Sequence, residues 1–276
     1  MSDSITFHQG GIIEYGVTSW AAVSAAVTTF NTGSTSDPNA NIIQAYNTFG
    51  GVGIGALLVF YNAPSPPAGL FDAFLSIPYL NKDIKTRSFL DFVKSSPSDA
   101  TAGMRCDMER MCMARGDLTL LLSRGAFQSV SLTELTPSIL NQIVNQTLFY
   151  GTTALLGGGI FVSYAVEPFL RSAYSHATDS AWPHSQYLSP LNLYFAWPLG
   201  LSDTIFLKAI KDSANSIRAQ AIAEGQKLDG LPTYSNYAIA GSSLQSVYGG
   251  NVARLQQIKA TYDPTNLMGR AGGFKF

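Results

Sequence analysis

Apolar residues in this chain form short runs separated by Gly, Pro and Ser, and most of these runs have the length of a β-strand. The runs 41–49 and 53–61 flank Gly50-Gly51, and this arrangement predicts a β-hairpin because paired glycines provide the positive φ angles of a tight turn. Further strands are predicted at 5–15, with a bulge at Gly10-Gly11, and at 127–132, 160–166 and 191–197.

Helical segments lie between these strands and carry recognisable start and stop signals. Thr136-Pro137 predicts a helix that begins with a threonine cap and a proline in the first turn, and continues to about Tyr150. The longest predicted helix is 203–224, opened by Ser202 and Asp203 and stopped by Gly225. Three more helices are predicted at 20–30, with Ser19 as its cap, at 68–75 and at 88–94.

The order of these elements predicts the fold class. Strands and helices do not alternate strictly, and no internal repeat is visible. We expect an α+β fold with one antiparallel sheet and helices packed on one of its faces, because amphipathic helices need a single partner surface. The other face of the sheet must then meet a ligand, a partner or a further domain.

Composition narrows the function classes. The 276 residues carry a net charge of −1 with only 13% charged residues, which argues against a nucleic-acid-binding protein, since such proteins normally carry a basic surface. The 12% aromatic content suits a globular protein with an apolar pocket. No run approaches the roughly 18 apolar residues of a membrane span, and the first residues do not have the pattern of a secretion signal, so a cytoplasmic or otherwise intracellular location is favoured.

Cysteine and histidine spacing predicts neither disulfides nor a metal site. Cys106 and Cys112 do not form a disulfide framework. His8, His176 and His184 are far apart and lack the spacing of metal ligands. We therefore expect no metal.

The end of the chain carries its most specific motifs, Tyr234-Ser-Asn236-Tyr237, Val247-Tyr-Gly-Gly-Asn251, Tyr262-Asp-Pro-Thr-Asn266 and Gly272-Gly273-Phe274-Lys275. This run resembles the terminal segment of FAD-linked oxidoreductases of the vanillyl-alcohol-oxidase superfamily, most closely the berberine-bridge-enzyme-like oxidases of fungi. Much of the preceding chain looks like the substrate-binding domain of those enzymes. The resemblance implies a substrate domain at 1–230, a segment at 231–276 that completes the FAD-binding domain, and FAD as the cofactor.

Two features depart from the family pattern. The glycine-rich pyrophosphate loop and the flavin-attachment residues of the FAD-binding half are not found, so we expect this chain alone to bind FAD poorly. The run 156–159 is no substitute, since it precedes a predicted strand whereas a phosphate loop follows one. A segment at 106–123 has no counterpart in the family; it is either an added lid or interaction loop or the translation of an unspliced intron.

The resemblance also implies roles for C-terminal residues. Tyr237, or equally Tyr234, would be the catalytic base that takes a substrate proton, which requires a tyrosine pKa lowered from about 10. Asn236 and Asn251 would bind the flavin or the substrate edge, because an amide both donates and accepts hydrogen bonds. The alternatives are a buried tyrosine with a satisfied hydroxyl and asparagines that only stabilise turns.

Four residues on the predicted strands are candidates for contact with substrate. Tyr194 with Asn192, and Glu167 with Ser163, alternate on their strands and so share a face. Polar groups among aromatic residues are typical of a small-molecule site. Tyr194 could instead belong to the core, and Glu167, which precedes Pro168 at a strand end, is expected to be exposed to solvent.

The function predicted from this resemblance is an FAD-linked oxidoreductase of fungal secondary metabolism. Its substrate would be a lipophilic polyketide, terpenoid or indole alkaloid, and O₂ would reoxidise the flavin. One alternative is a flavin-free cyclase, isomerase or cycloaddition catalyst that keeps the apolar pocket. The other is an inactive fragment or a binding module with an exposed apolar sheet face.

Overall fold

The structure, a computed structural model, describes residues 7–32, 37–95, 124–171, 174, 179–183, 187–270 and 276. The segment 106–123, both cysteines, His176, His184 and the Gly272-Gly273-Phe274-Lys275 motif lie outside the described residues. The strands are β1 Phe7–Gly16, β2 Ala40–Phe49, β3 Val52–Tyr61, β4 Asn81–Ser88, β5 Arg124–Leu132, β6 Phe161–Val166 and β7 Ser189–Trp197. The helices are α1 Trp20–Thr32, α2 Asp72–Leu75, α3 Phe89–Ser95, α4 Pro137–Leu156, α5 Asp203–Ala223, α6 Leu244–Tyr248 and α7 Val252–Tyr262.

All seven strands form one antiparallel sheet in the order β4-β1-β3-β2-β6-β7-β5. The predicted hairpin forms β2 and β3, and Gly50 and Gly51 in its turn have φ angles of 54° and 83°. Such angles are accessible to glycine without steric cost. The predicted α+β fold with an antiparallel sheet is therefore confirmed.

Helices α1, α4 and α5 cover one face of the sheet and bury the core there. Two tyrosines on this face bond to the helices: Tyr46 OH lies 2.6 Å from Ser24 Oγ of α1, and Tyr164 OH lies 2.6 Å from Ser213 Oγ of α5. Buried phenols need such partners because an unpaired hydroxyl in the core is costly. The core therefore occupies the space between these helices and the sheet.

The opposite face, which we call the open face, has one helix at its corner. There α3 lies over the β4–β1 edge, and Phe92 packs on Gly10 so closely that a β-carbon on that glycine would lie 2.7 Å from the ring. The β1–β3 register runs through both glycines without interruption, so the predicted bulge is wrong. The glycines instead allow close approach, since a β-carbon on Gly11 would lie 1.7 Å from the Asp83 carbonyl oxygen.

Strand β4 and two helix caps also differ from the sequence predictions. β4 was not predicted because its sequence, NKDIKTRS, is that of a charged edge strand. Ser19 does not cap α1; its hydroxyl donates to the Pro78 carbonyl at 2.7 Å. Ser202 makes no side-chain cap bond, whereas Thr136 accepts from Ile139 N as predicted.

Among the described residues, no helix is both long and apolar enough to cross a membrane.

Candidate functional site

The strand register places the candidate substrate residues together on the open face. Ser163 of β6 lies directly opposite Tyr194 of β7, and Asn192 lies opposite Ala165. Their neighbours Leu193 and Phe195 point to the helices and are fully buried. Directly opposite residues of an antiparallel pair share a face, so Ser163, Asn192 and Tyr194 lie on the side away from the core.

Glu167, immediately after β6, is buried with 5% of its surface exposed, so the expectation that it faces solvent was wrong. Its backbone carbonyl accepts from Ser189 Oγ at 2.8 Å, and its carboxylate Oε1 accepts from the Tyr237 hydroxyl at 2.5 Å. The C-terminal segment therefore covers the strand end at Glu167. A local pattern of Glu before Pro could not reveal a cover that comes from 70 residues further along the chain.

Tyr237 is brought to this position by the segment that precedes it. Ser131 of β5 donates to the Pro232 carbonyl at 2.7 Å, and Trp182 Nε1 donates to the Thr233 carbonyl at 3.0 Å. A 3₁₀ turn at Ser235–Tyr237 follows and directs the phenol of Tyr237 to Glu167. The hydrogen bonds from β5 and from the 179–183 loop thus fix the entry of the C-terminal segment onto the open face.

Burial and charge set the protonation of this pair. Burial raises the pKa of Glu167 to about 7, opposed in part by the hydrogen bond from Tyr237. Burial and the negative charge of Glu167 both raise the pKa of Tyr237, so the lowered tyrosine pKa that a free phenolate base requires is not found. In this pair Tyr237 holds its proton, and the carboxylate is the group that ionises near neutral pH.

Tyr234 lies beside the pair but does not share its hydrogen bond. Its ring packs edge-on against Tyr237 and Trp182 at centroid distances of 5.2 Å each. Its hydroxyl accepts from Asn236 Nδ2 at 2.9 Å, and its pKa is raised, first by burial and then by the charge of Glu167. Tyr234 is therefore adjacent to the carboxylate without a bond to it among the described contacts.

The two candidate cofactor residues differ in their surroundings. Asn251 Nδ2 donates to the carbonyls of Ser180 and Ala181, each at 3.1 Å, and so attaches the 179–183 loop to the C-terminal segment. Asn236 is exposed and bonds only to the neighbouring Tyr234 among the described contacts. The Asn251 amide nitrogen is thus already engaged within the chain, whereas Asn236 faces outward beside Tyr237.

An aromatic wall stands next to the pair. The rings of Phe127 and Tyr194 lie 4.6 Å apart, and Phe127 lies 6.1 Å from Tyr237. Gly125 makes this packing possible, because a β-carbon there would lie 2.6 Å from the Tyr194 hydroxyl. Neither Phe127 nor Gly125 was predicted for the site, although Phe127 alternates with Ser129 along its strand in the same way as the residues that were.

Two polar atoms near this wall lack partners. Asn192 Oδ1 and Ser129 Oγ are both buried and have no hydrogen-bond partner in the described structure. The two residues lie directly opposite each other in the β7–β5 register, on the open face. A buried polar atom without a partner costs about 1–3 kcal/mol, so this part of the sheet is built at an energetic cost. Ser129 was not among the predicted residues.

Comparison with known proteins concerns the C-terminal segment and the fold. Residues 233–269 match the family model described as "Berberine and berberine like". The fold is similar to that of BBE-like 1 from Physcomitrella patens, with a TM-score of 0.60, 12% identity and coverage of 96% of this chain and 53% of that one. No curated protein sequence matches the chain significantly.

Two further solved structures show the same fold. One is a berberine bridge enzyme variant, with a TM-score of 0.61, 12% identity and coverage of 94% and 54% of the two chains. The other is a carbohydrate oxidase from Microdochium nivale, with a TM-score of 0.59, 15% identity and coverage of 94% and 53%. The chain thus spans about half the length of the structures that it matches. The resemblance to berberine-bridge-enzyme-like flavoenzymes, in the fold and in the C-terminal segment, is confirmed.

The described residues fit one end of a flavin site and not the other. The open face offers an unpartnered acceptor, an acid–base pair and aromatic rings, which suit the reacting end of a flavin with its substrate. The glycine run 157–159 follows the C-terminus of α4 and precedes β6. The C-terminal end of a helix carries partial negative charge, so this run does not suit a pyrophosphate. The pyrophosphate end has no candidate among the described residues.

Proposed function

We propose that this chain is the substrate-binding part of an FAD-linked oxidoreductase, with residues 1–230 as the substrate domain and 231–276 as the segment that closes the flavin site. The observation that carries the proposal is the partly buried hydrogen bond from Tyr237 to Glu167 on the open face. A phenol and a carboxylate that face a small-molecule site are the groups needed to remove a hydroxyl proton. The fold and the C-terminal family match support the same class of activity.

Tyr237 and Glu167 act as one base in this proposal. A substrate hydroxyl donates to the Tyr237 oxygen, and as its proton moves to Tyr237 the phenolic proton moves to the Glu167 carboxylate. The raised pKa of Tyr237 excludes a standing phenolate near neutral pH, so the carboxylate is the final proton acceptor. With a pKa of about 7, Glu167 is ionised in a large fraction of molecules at neutral pH and can perform this step.

FAD, when bound, supplies the acceptor for the hydride that leaves the substrate carbon, and O₂ is the final oxidant. Asn236, exposed beside Tyr237, is the side chain that we assign to the flavin edge. Asn251 contributes indirectly, because its amide holds the loop that carries Trp182. The other half of the flavin site would be provided by residues outside those described.

The substrate in this proposal is a lipophilic small molecule with an oxidisable hydroxyl-bearing carbon. Phe127, Tyr194 and Phe161 supply apolar contact area, and Ser163 and Asn192 supply polar contacts between them. Aromatic polyketides, terpenoids and indole alkaloids, the products of fungal secondary metabolism, have this character. Ring packing of this kind binds flat substrates well, because aromatic pairs add about 0.5–1.5 kcal/mol each beyond simple burial.

The proposal is tested with 2-naphthalenemethanol as substrate and saturating FAD. Oxidation would convert the alcohol and O₂ into 2-naphthaldehyde and hydrogen peroxide, both of which are measured. We expect FAD-dependent product that is lost in Tyr237→Phe and Glu167→Gln. Tyr234→Phe is the matched control, since Tyr234 is a neighbouring phenol without the Glu167 bond. A well-folded chain with FAD bound, as quenching of flavin fluorescence shows, that still forms no aldehyde would contradict the proposal.

A second function is favoured because both members of the Tyr237–Glu167 pair belong to this chain. Tyr237 and Glu167 could transfer protons in an isomerisation or cyclisation without any flavin. This function predicts substrate conversion that is independent of FAD, forms no peroxide and is still abolished in Glu167→Gln. The peroxide assay therefore separates the two functions directly.

A further inference from the structure

One row of residues across the open face contains three alanines in succession. Strand register aligns Ala56 of β3 with Ala45 of β2, Ala45 with Ala165 of β6, and Ala165 with Asn192 of β7. Each alanine is partly exposed. Strands in a sheet lie about 4.8 Å apart, so the three alanines form a shallow apolar floor about 10 Å long.

Larger side chains border this floor on both sides. The next row in one direction places Ile54, Asn47 and Ser163 beside the alanines and continues with Tyr194 and Phe127 beside Asn192 and Ser129. The row in the other direction contains Ile43 and Leu58, and Glu167 follows β6 on that side. A floor of methyl groups between taller residues is a trough, and its width and flatness suit a planar ring system.

The trough ends at the two unpartnered polar side chains. Asn192 continues the alanine row, and Ser129 of β5 follows it in register. Ser129 is 93% buried, since 7% of its surface is exposed, and its hydroxyl has no partner in the described part of the chain. Asn192 is partly exposed, although its Oδ1 is covered and has no partner in the described structure.

The hydrogen-bonding groups of Ser129 and Asn192 indicate which chemical group of a ligand they would bind. A serine hydroxyl both donates and accepts, and the amide of asparagine does the same through its two atoms. A ligand hydroxyl satisfies both side chains at once, because it can donate to one and accept from the other. The unpartnered Oδ1 of Asn192 needs a donor, which a carboxylate does not have, and an ammonium would place a full charge beside the buried Ser129 and Asn192 atoms, which costs far more than a neutral hydroxyl.

We propose that Ser129 and Asn192 form a subsite for a second hydroxyl of the substrate, and that the substrate is a flat bicyclic or tricyclic molecule lying in the alanine trough. This inference rests on the proposed function for the reacting group, which is placed at Tyr237 and Glu167. If the β6–β7 register is continued by one residue, Asn192 is the diagonal neighbour of Glu167. Diagonal neighbours on adjacent antiparallel strands are about 7–8 Å apart. The substrate thus carries its recognised hydroxyl on a different ring position from the one oxidised.

Binding of two simple probes to the full chain tests the subsite without turnover. The probes are 2-naphthol and 2-methylnaphthalene, which share shape and differ in the hydroxyl, and dissociation constants are measured by saturation-transfer NMR. We expect 2-naphthol to bind about tenfold more tightly, the ratio that one satisfied hydrogen bond of about 1.4 kcal/mol gives. Ser129→Ala and Asn192→Leu should each reduce that ratio to between one and three, with thermal melting used to confirm that each variant folds.

A third variant tests the trough and a fourth separates the subsite from the chemistry. Ala165→Leu should weaken binding of both probes equally, because it fills the floor without touching the hydroxyl contact. Glu167→Gln should leave the tenfold ratio unchanged. Equal affinity for the two probes in the unmodified chain, a ratio unaffected by Ser129→Ala and Asn192→Leu, or no saturable binding of either probe would overturn the inference. If the ratio behaves as expected but Glu167→Gln keeps full oxidation activity, the subsite stands and the proposed function fails.

Discussion

The Tyr237 hydroxyl donates a 2.5 Å hydrogen bond to Glu167 Oε1, and this contact joins the C-terminal segment to the end of strand β6. The carboxylate is almost fully buried and its pKa is raised to about 7. Carboxyl groups with strongly raised pKa values are common at functional sites. Burying such a group costs stability, and its chemistry is the reason that it is kept there.

Removal of the Tyr237 hydroxyl should mainly affect turnover. In Tyr237→Phe the ring still packs against Phe127 and Tyr234, so only the hydrogen bond from the substrate hydroxyl is lost and KM should rise several-fold at most. The proton path to Glu167 is lost, and kcat should fall by about 10²- to 10⁴-fold, the usual contribution of a positioned general base. Steady-state kinetics measure this, and a large rise in KM with unchanged kcat would assign Tyr237 to binding instead.

The pKa of Glu167 should itself respond to Tyr237. The hydrogen bond from the phenol lowers the carboxyl pKa, while burial raises it. In Tyr237→Phe the lowering contribution disappears, so the pKa of Glu167 should rise above about 7. Titration of ¹³C-labelled glutamate side chains by NMR measures both values, with Glu167→Gln identifying the resonance. A lower pKa in Tyr237→Phe would show that the bond does not stabilise the carboxylate.

Ionisation of Glu167 should lower the free energy of unfolding as the pH rises to about 7 and above. Its folded-state pKa of about 7 exceeds the ordinary value of 4.5, so the folded chain binds more protons than the unfolded chain between these pH values. Stability contributed by this group therefore falls as pH rises from about 4.5 to 7. At about 1.36 kcal/mol per pH unit the difference reaches roughly 3 kcal/mol.

Glu167→Gln removes this pH dependence and keeps an oxygen that can accept from Tyr237. We expect the variant to be more stable than the unmodified chain at pH 8, by about 2–3 kcal/mol, and nearly equal to it at pH 4.5. Urea denaturation at the two pH values checks this. Equal destabilisation by the substitution at both pH values would mean that the carboxyl group is not held against its ionisation.

The aromatic wall should depend on a glycine. A β-carbon at Gly125 would lie 2.6 Å from the Tyr194 hydroxyl, so Gly125→Ala must displace that ring from Phe127. Because the obstruction is the end of a side chain that can move, the stability cost should be only about 1 kcal/mol. Binding of 2-naphthol, measured as above, should weaken several-fold.

Gly250→Ala is the matched control for the glycine experiment, since nothing lies within 4 Å of a β-carbon at that position. It should leave both stability and 2-naphthol binding unchanged. Equal effects of the two substitutions would mean that the loss does not come from the contact with Tyr194.

Much of the sheet could be predicted because its signals are local. The glycine pair at 50–51 and the threonine–proline start of α4 each specify an element through backbone geometry within a few residues. Alternation along β6 and β7 likewise predicted which residues share the open face. Strand β4 was not predicted, because an edge strand whose faces are not fully covered needs no alternation of apolar and polar residues.

The site was harder to predict, since its important contacts join distant parts of the chain. The burial of Glu167 depends on Tyr237, and the hydroxyl of Ser129 matters only because the register places it opposite Asn192. The wrong expectation of an exposed Glu167 comes from treating that residue alone. Long-range pairing, rather than residue type, determines the chemistry here.

The pH dependence of FAD-supported oxidation of 2-naphthalenemethanol tests the central claim most directly. If the Glu167 carboxylate is the final proton acceptor, kcat/KM should rise with pH through a midpoint at about 7 and level off roughly one pH unit higher, following the ionisation of Glu167. Glu167→Gln should abolish this rise and lower the plateau by at least about 100-fold. A Glu167→Gln variant with the same pH profile and rate as the unmodified chain would contradict the account.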